Sequence, residues 1–170
     1  MKVINMHIVP GHYPDKPGAK LANGWSEHAE ACAWVAHVLG VIGSAMAWPV
    51  GDSVVRATAV GSSALIEVHF GHIDEPSHPR LLYRPGCKDS EELAKHMHEV
   101  MQSIAPGLTI AINAGWYRGE EQRGPDFIFK AALGPCMQFI PCRLYDSASV
   151  RGIGANLLAQ SIKAMENSRG

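Results

Sequence analysis

The chain has 170 residues, 46% hydrophobic and 18% charged, and its formal net charge is −1 with nine histidines counted neutral. That length suits one domain with a substantial buried core. The balance of charge supplies no basic field for nucleic acid or an anionic membrane. The four cysteines, Cys32, Cys87, Cys136 and Cys142, have no CxxC spacing, and a chain this long needs no covalent staples, so they are expected to be reduced and mostly buried.

Met1-Lys2 leads directly into Val3-Ile4, without a basic n-region, a long apolar h-region or a cleavage site. No run approaches the ~20 apolar residues that span a bilayer. The expectation is a protein made in the cytoplasm with no export signal of its own. Residues 3–9 read as a short apolar strand closed by Pro10-Gly11, and residues 13–24 as an irregular loop rich in Pro, Gly, Asp and Asn. Ser26 has the character of an N-cap. The helix after it is apolar at Ala31, Trp34, Val35, Val38, Leu39 and Ile42, in steps of three and four.

Residues 45–49 suggest a short strand and residues 65–70 a stronger one. Residues 81–84 are strand-like before Pro85-Gly86. Asp89-Ser90-Glu91-Glu92 has capping-box spacing, and the helix it opens is apolar at Leu93, Met97, Val100, Met101 and Ile104. Residues 108–112, 127–130 and 137–140 are further strands, with a polar loop at 116–125. Residues 150–165 close the chain as a helix apolar at Ile153, Leu157, Leu158 and Ile162. Strand and helix alternate without repeats or a linker, which predicts one α/β domain over residues 1–170 with a mainly parallel sheet.

Three side chains in this pattern suit a metal. His12 follows the first strand, and in open α/β sheets ligands bind beyond the carboxyl ends of the strands. Glu27, in Gly24-Trp25-Ser26-Glu27, lies in the first helical turn on the edge of the apolar stripe, where an acid needs a partner. His69 ends the apolar run Ala64-Leu65-Ile66-Glu67-Val68-His69 and reaches the same crevice. Two histidines and a carboxylate suit a three-ligand zinc site with one open position. Glu30, turned further from the stripe, is expected to be solvated. His72 follows a strand and a turn, so it does not share a metal with His69 as an HxxH pair on a helix would. His96 and His98, two apart on a helix, point to different faces and are expected at the surface.

These blocks, in this order, resemble the zinc-dependent N-acetylmuramoyl-L-alanine amidases of the amidase_3 family, which includes cell-wall hydrolases and phage endolysins. Ile8-Val9-Pro10-Gly11-His12 followed by Asp15-Lys16-Pro17-Gly18-Ala19 is similar to the opening "DPGHGG..DPGA". Gly24-Trp25-Ser26-Glu27 is similar to the "G..E" helix start. Leu65-Ile66-Glu67-Val68-His69-Phe70 is similar to "FVSIHAN", with Glu67 in the serine place, and residues 89–94 to the "S..LA" helix. The resemblance implies a three-layer fold with about six mostly parallel strands between helices. It also implies Zn2+ held by His12, Glu27 and His69, and a peptidoglycan or muropeptide-like substrate. The absence of an export signal would suit a phage lysin released by a membrane-permeabilising partner.

The family's catalytic glutamate, at the end of the last strand in "PAVLVE.GF", has no counterpart. The matching segment is Pro135-Cys136-Met137-Gln138-Phe139-Ile140-Pro141-Cys142, with Ile140 at the glutamate, or Gln138 after a shift of two. Neither supplies a base, and losing a general acid–base costs ~10²–10⁴ in rate. Three readings follow. Glu67, on the same strand face as His69, replaces the relay or supports the ligand, with Glu120 and Glu121 as alternatives. Or the zinc site persists without turnover, in a pseudoamidase that binds a wall fragment or a protein. Or the pocket takes another substrate, read by Gln138 and the Tyr117-Arg118 loop, with Arg143 and Asp146 either joining them or forming a structural ion pair.

Overall fold

In the computed structural model, which describes residues 6–12, 17–43, 64–115 and 132–167, short strands alternate with longer helices. The order is β1 (Met6–Pro10), α1 (Glu27–Ile42), β2 (Ala64–Val68), β3 (Arg80–Tyr83), α2 (Lys88–Ile104), β4 (Ala111–Ala114), β5 (Cys136–Ile140) and α3 (Ala148–Asn167). Among the described residues the strands form one five-stranded sheet, against about six expected, in the order β1-β2-β5-β3-β4. Its pairs β1–β2, β2–β5 and β3–β4 are parallel, and only β5–β3 is antiparallel. The fold is α/β with a mostly parallel sheet, as the alternating pattern predicts. The expected strands at 45–49 and 127–130 lie outside the described residues.

β2 and β5 are buried over their whole length, the mark of central strands covered on both faces. Ile66, Val68, Leu81, Met137 and Phe139 point into the main core, where they meet Trp34, Val38, Met97 and Leu158 from the helices. α3 packs against both α1 and α2. The opposite face carries Leu65, Glu67, Gln138, Leu82 and Ile140, all buried, with Leu82 and Ile140 forming a small cluster of their own. No helix of the described residues is long and apolar enough to cross a membrane.

Local signals set the element ends where no distant group competes. Ser26 caps α1, its hydroxyl accepting from the Ala29 N–H at 3.2 Å, and Gly43 closes the helix at φ 72°. α2 departs from expectation. It starts at Lys88 with Cys87 at the N-cap and no side-chain cap. The Ser90 hydroxyl, buried, instead accepts from the Cys136 N–H at 3.0 Å and donates to the Cys87 thiol at 3.2 Å. Because the helix already starts at Lys88, Asp89 lies inside its first turn and not at the N-cap, so the Asp89–Glu92 spacing closes no capping box. β4 begins at Ala111 rather than 108, because Leu108 turns back to the Ala105 carbonyl and pairing opens only with Ala111 N–H to Pro79 O at 2.9 Å. Ile153, expected on the apolar stripe of α3, is 63% exposed, while Leu157, Leu158 and Ile162 are buried. None of the four cysteines is in a disulfide; Cys136 and Cys142 are buried, and Cys32 and Cys87 partly so.

Candidate metal centre

The centre is built where the carboxyl ends of β1 and β2 meet the first turn of α1. Beyond β1 the ladder continues through Gly11, whose N–H donates to Val68 O at 2.8 Å. His12 then takes φ 60°, a left-handed conformation uncommon for a residue with a Cβ and concentrated at functional sites. The turn is held from α1, since His28 Nδ1 lies 2.9 Å from the Gly11 carbonyl. Two glycines make room. A Cβ on Gly11 would come within 2.5 Å of the His69 ring, and one on Gly18 within 2.7 Å of Glu27 Oε2 and 2.8 Å of the His12 ring.

Glu27 joins the parts. Its carboxylate is buried at 2% exposure, with Oε1 accepting from Phe70 N–H at 3.1 Å and Oε2 from Ala19 N–H at 3.4 Å. Oε2 also lies 3.0 Å from His12 Nε2, and Oε1 3.4 Å from His69 Nδ1. Burial pushes the Glu27 carboxyl pKa upward, but the contacts from His12 and His69 outweigh it and hold the group well below the usual carboxylate range. The two imidazoles meet edge to face at 5.0 Å. Among the described residues, His12, Glu27 and His69 bring one donor atom each to within 4.8 Å of one another.

Behind this set stand the two polar residues of the opposite sheet face. Glu67 Oε2 is 3.0 Å from His69 Nε2, and the Gln138 amide donates to the same oxygen at 2.8 Å. Glu67 and Gln138 are partners in the β2–β5 register, and both are buried. Ile140, at the end of β5, is fully buried beside Leu82.

Other sequence candidates resolve differently. Glu30 is not solvated: it accepts from Trp25 Nε1 at 2.8 Å and pairs with Arg151 at 2.7 Å. The partner is 121 residues away, so nothing near Glu30 announces it. His98 is part-buried, with Nε2 3.2 Å from Ile110 O, because α2 lies along the approach to β4, while His96 is exposed. His72 is half-exposed beside Asp74 and stands outside the cluster. Arg143 and Asp146 form an ion pair at 2.8 Å, with Ser77 donating to the same carboxylate. Tyr117, Arg118, Glu120 and Glu121 lie outside the described residues. Sequence reasoning missed His28, Gly11 and Gly18; a histidine directly after Glu27 and glycines on either side of His12 were the only signals.

The site's chemistry is that of a compact mixed donor set. Two imidazole nitrogens and a carboxylate oxygen match the three-protein-ligand sets of catalytic zinc, and a single methyl on Gly18 would fall among them. No protein-family model matches the sequence, and no curated protein matches it. Solved structures do match the fold. The chain is similar to the N-acetylmuramoyl-L-alanine amidase from Clostridium difficile 630, with a TM-score of 0.72 and 13% identity over 99% of each chain. It is similar to the catalytic domain of the amidase CwlV from Bacillus (Paenibacillus) polymyxa var. colistinus, at TM-score 0.68 and 15% identity over 96% of this chain and 99% of that one. The amidase AmiC2 of Nostoc punctiforme gives 0.66 and 12%, over 95% and 97%. The chain therefore has the fold found in these amidases, carried by a sequence no more than 15% identical to theirs.

Proposed function

We propose that the chain is a zinc-dependent, amidase-like hydrolase whose substrate is the N-acetylmuramoyl-L-alanine amide of peptidoglycan, or a related amide presented by a muropeptide-like molecule. The observation that carries this reading is the convergence of His12, Glu27 and His69 at the strand ends of a fold shared with peptidoglycan amidases. His12, Glu27 and His69 would hold the zinc. When bound, the metal supplies an acidified water and polarises the amide carbonyl.

The chain's own residues prepare that chemistry. Two backbone N–H groups orient the Glu27 carboxylate, so its geometry is set before any ligand arrives. The His12 turn is fixed by His28 through the Gly11 carbonyl. Among the described residues Glu67 is the carboxylate placed for the relay role, its Oε2 3.0 Å from His69 Nε2. Gln138 keeps Glu67 in place.

A second reading has its own support. Ile140 is fully buried where the amidase pattern has its acid, and an alkyl group moves no protons. In this reading the domain binds zinc and a wall fragment or partner but turns over poorly. Two measurements test the pair. Metal analysis of native protein should find zinc, lost in His12→Ala and His69→Ala; zinc-free native protein would overturn both readings. Turbidity loss of purified cell walls should then be seen in the native chain and fall in Glu67→Gln. Wall lysis appearing only in Ile140→Glu would establish the second reading instead.

A further inference from the structure

The sheet face that carries Glu67 and His69 also carries an arginine. In the β3–β5 register Arg80 is the partner of Ile140. The β2–β5 register, taken one step beyond Val68 and Phe139, sets His69 opposite Ile140, and His69 N–H donates to Phe139 O at 3.0 Å there. His69, Ile140 and Arg80 therefore stand in one row across adjacent strands, about 10 Å from end to end at the usual strand spacing. Register partners share a sheet face, so the three side chains leave on the same side. Ile140, fully buried between the other two, adds no charge to the row.

The guanidinium leans back toward the metal centre. A Cβ on Gly71 would meet Arg80 Nη2 at 2.9 Å and Glu75 Oε2 at 3.1 Å. Gly71 continues the β2–β5 ladder, its N–H donating to Cys142 O at 2.8 Å. Phe70 turns into the core, so Gly71 returns to the face of His69. Two residues of strand span about 7 Å, and the charge stands roughly that far along from His69. Only part of its fork is committed. Nη2 donates to Glu75 Oε2 at 2.7 Å, an oxygen that also accepts from His72 N–H at 3.0 Å. Nε is buried and has no acceptor among the described residues. Both side chains keep some exposure, 14% for Arg80 and 11% for Glu75.

We propose that Arg80 is a specificity-determining substrate anchor, which holds a carboxylate carried one or two residues from the amide that meets His12, Glu27 and His69. This rests on the hydrolase reading above and narrows its substrate to amides of peptides bearing a free carboxylate. A guanidinium suits the task because its planar fork matches a carboxylate and never loses its charge. Glu75 grips one edge of that fork and sets its plane. The rest of the fork is left to a ligand, and Gly71, without a side chain, leaves the space in which the head group sits.

The probes are N-acetyl-L-alanyl-L-alanine and its C-terminal carboxamide, alike in size and different in charge. Their affinities are read by NMR titration of the native chain, with zinc added and again after chelation. The acid should bind ~10–100-fold more tightly than the amide in both states, the range of a hydrogen bond to a charged group. Arg80→Gln should bring the two affinities together and leave that of the amide unchanged. That variant strands Glu75 without its cation, so Arg80→Gln/Glu75→Gln, with neither charge, is measured beside it. Loss of the preference in whichever variant folds upholds the proposal. A merely structural ion pair would lower the melting temperature of the variants, with acid and amide bound equally by the native chain. Equal native affinities, no binding of either probe, or a preference that survives in a folded variant would overturn the proposal. So would a preference seen only with zinc, since the carboxylate would then be on the metal. A native chain that takes up no zinc defeats the hydrolase reading alone; the titration after chelation still decides Arg80.

Discussion

β2 and β5 lie side by side, parallel and in register, and both are buried from end to end. They carry different cargo to the same edge of the sheet. On the face away from the described helices, β2 presents Glu67 and leads to His69, within reach of Glu27 and His12. On that same face β5 presents Gln138 and then Ile140. On the zinc reading proposed above, holding a metal and moving a proton would be separable tasks in this architecture. The first is assembled from the turn after β1, the first turn of α1 and the end of β2. The second, in the amidase pattern, depends on a single position at the end of β5. This chain brings His12, Glu27 and His69 together and ends β5 on the alkyl side chain of Ile140.

Breaking the β2 side should give the largest effect. His12→Ala, Glu27→Ala or His69→Ala removes one of the three proposed ligands, and bound zinc by elemental analysis should fall from stoichiometric to background. Glu27→Ala should also lower the melting temperature of metal-free protein. It leaves the Phe70 N–H without its acceptor, and an unsatisfied buried donor costs ~1–3 kcal/mol.

Restoring the β5 side is the complementary experiment. Ile140→Glu should raise wall-lytic turnover by ~10²–10⁴ if the relay is all that is missing. The new acid would not be alone: Arg80 is the cross-strand partner of Ile140 in the β3–β5 register and ion-pairs with Glu75 at 2.7 Å. Zinc content should be unchanged. A rate equal to that of the native chain would show that β5 does not limit the chemistry.

What the sequence made legible follows from range. The ends of β1 and β2 and the Ser26 cap are written in local patterns, so His12, Glu27 and His69 can be placed at one edge before any coordinates. What stayed hidden depends on contacts between segments far apart. Glu30 meets Arg151 across 121 residues, and Ser90 meets Cys136 across 46. The expected capping box is lost because the helix opens one residue earlier, at Lys88. Glu67 could be assigned to the His69 face by alternation alone, but its choice between relay and support turns on Gln138, which belongs to a strand 71 residues later.

A smaller effect sharpens the β2 side. Gly18 and Gly24 both have positive φ, 74° and 84°, so Ala at either is strained. Only at Gly18 would the added carbon strike Glu27 and His12; at Gly24 nothing lies within 4 Å. Gly24→Ala should therefore cost ~1 kcal/mol of stability with native zinc affinity. Gly18→Ala should show a similar or larger stability loss together with weakened zinc binding. Equal zinc affinities in the two variants would mean that Gly18 is needed for its backbone and not for the space it leaves.

The smallest effect, absent at neutral pH, belongs to the β5 side. Cys142 lies two residues past Ile140, and its carbonyl accepts from Gly71 N–H at 2.8 Å, tying the β2 and β5 edges together beyond the strands. Burial pushes its thiol from an ordinary 9.0 up to about 12, with Asp146 adding to the rise. The folded state thus prefers the protonated thiol. Its stabilising contribution is complete below pH 9 and drains away as pH rises toward 12, because the unfolded chain ionises first. Urea unfolding of native and Cys142→Ala protein at pH 8 and pH 10.5 should therefore show the stability difference shrinking with pH, on the order of 1 kcal/mol per unit above 9. A difference that stays constant across that range would mean that Cys142 meets solvent, and that the edge of β5 opens where β2 stays closed.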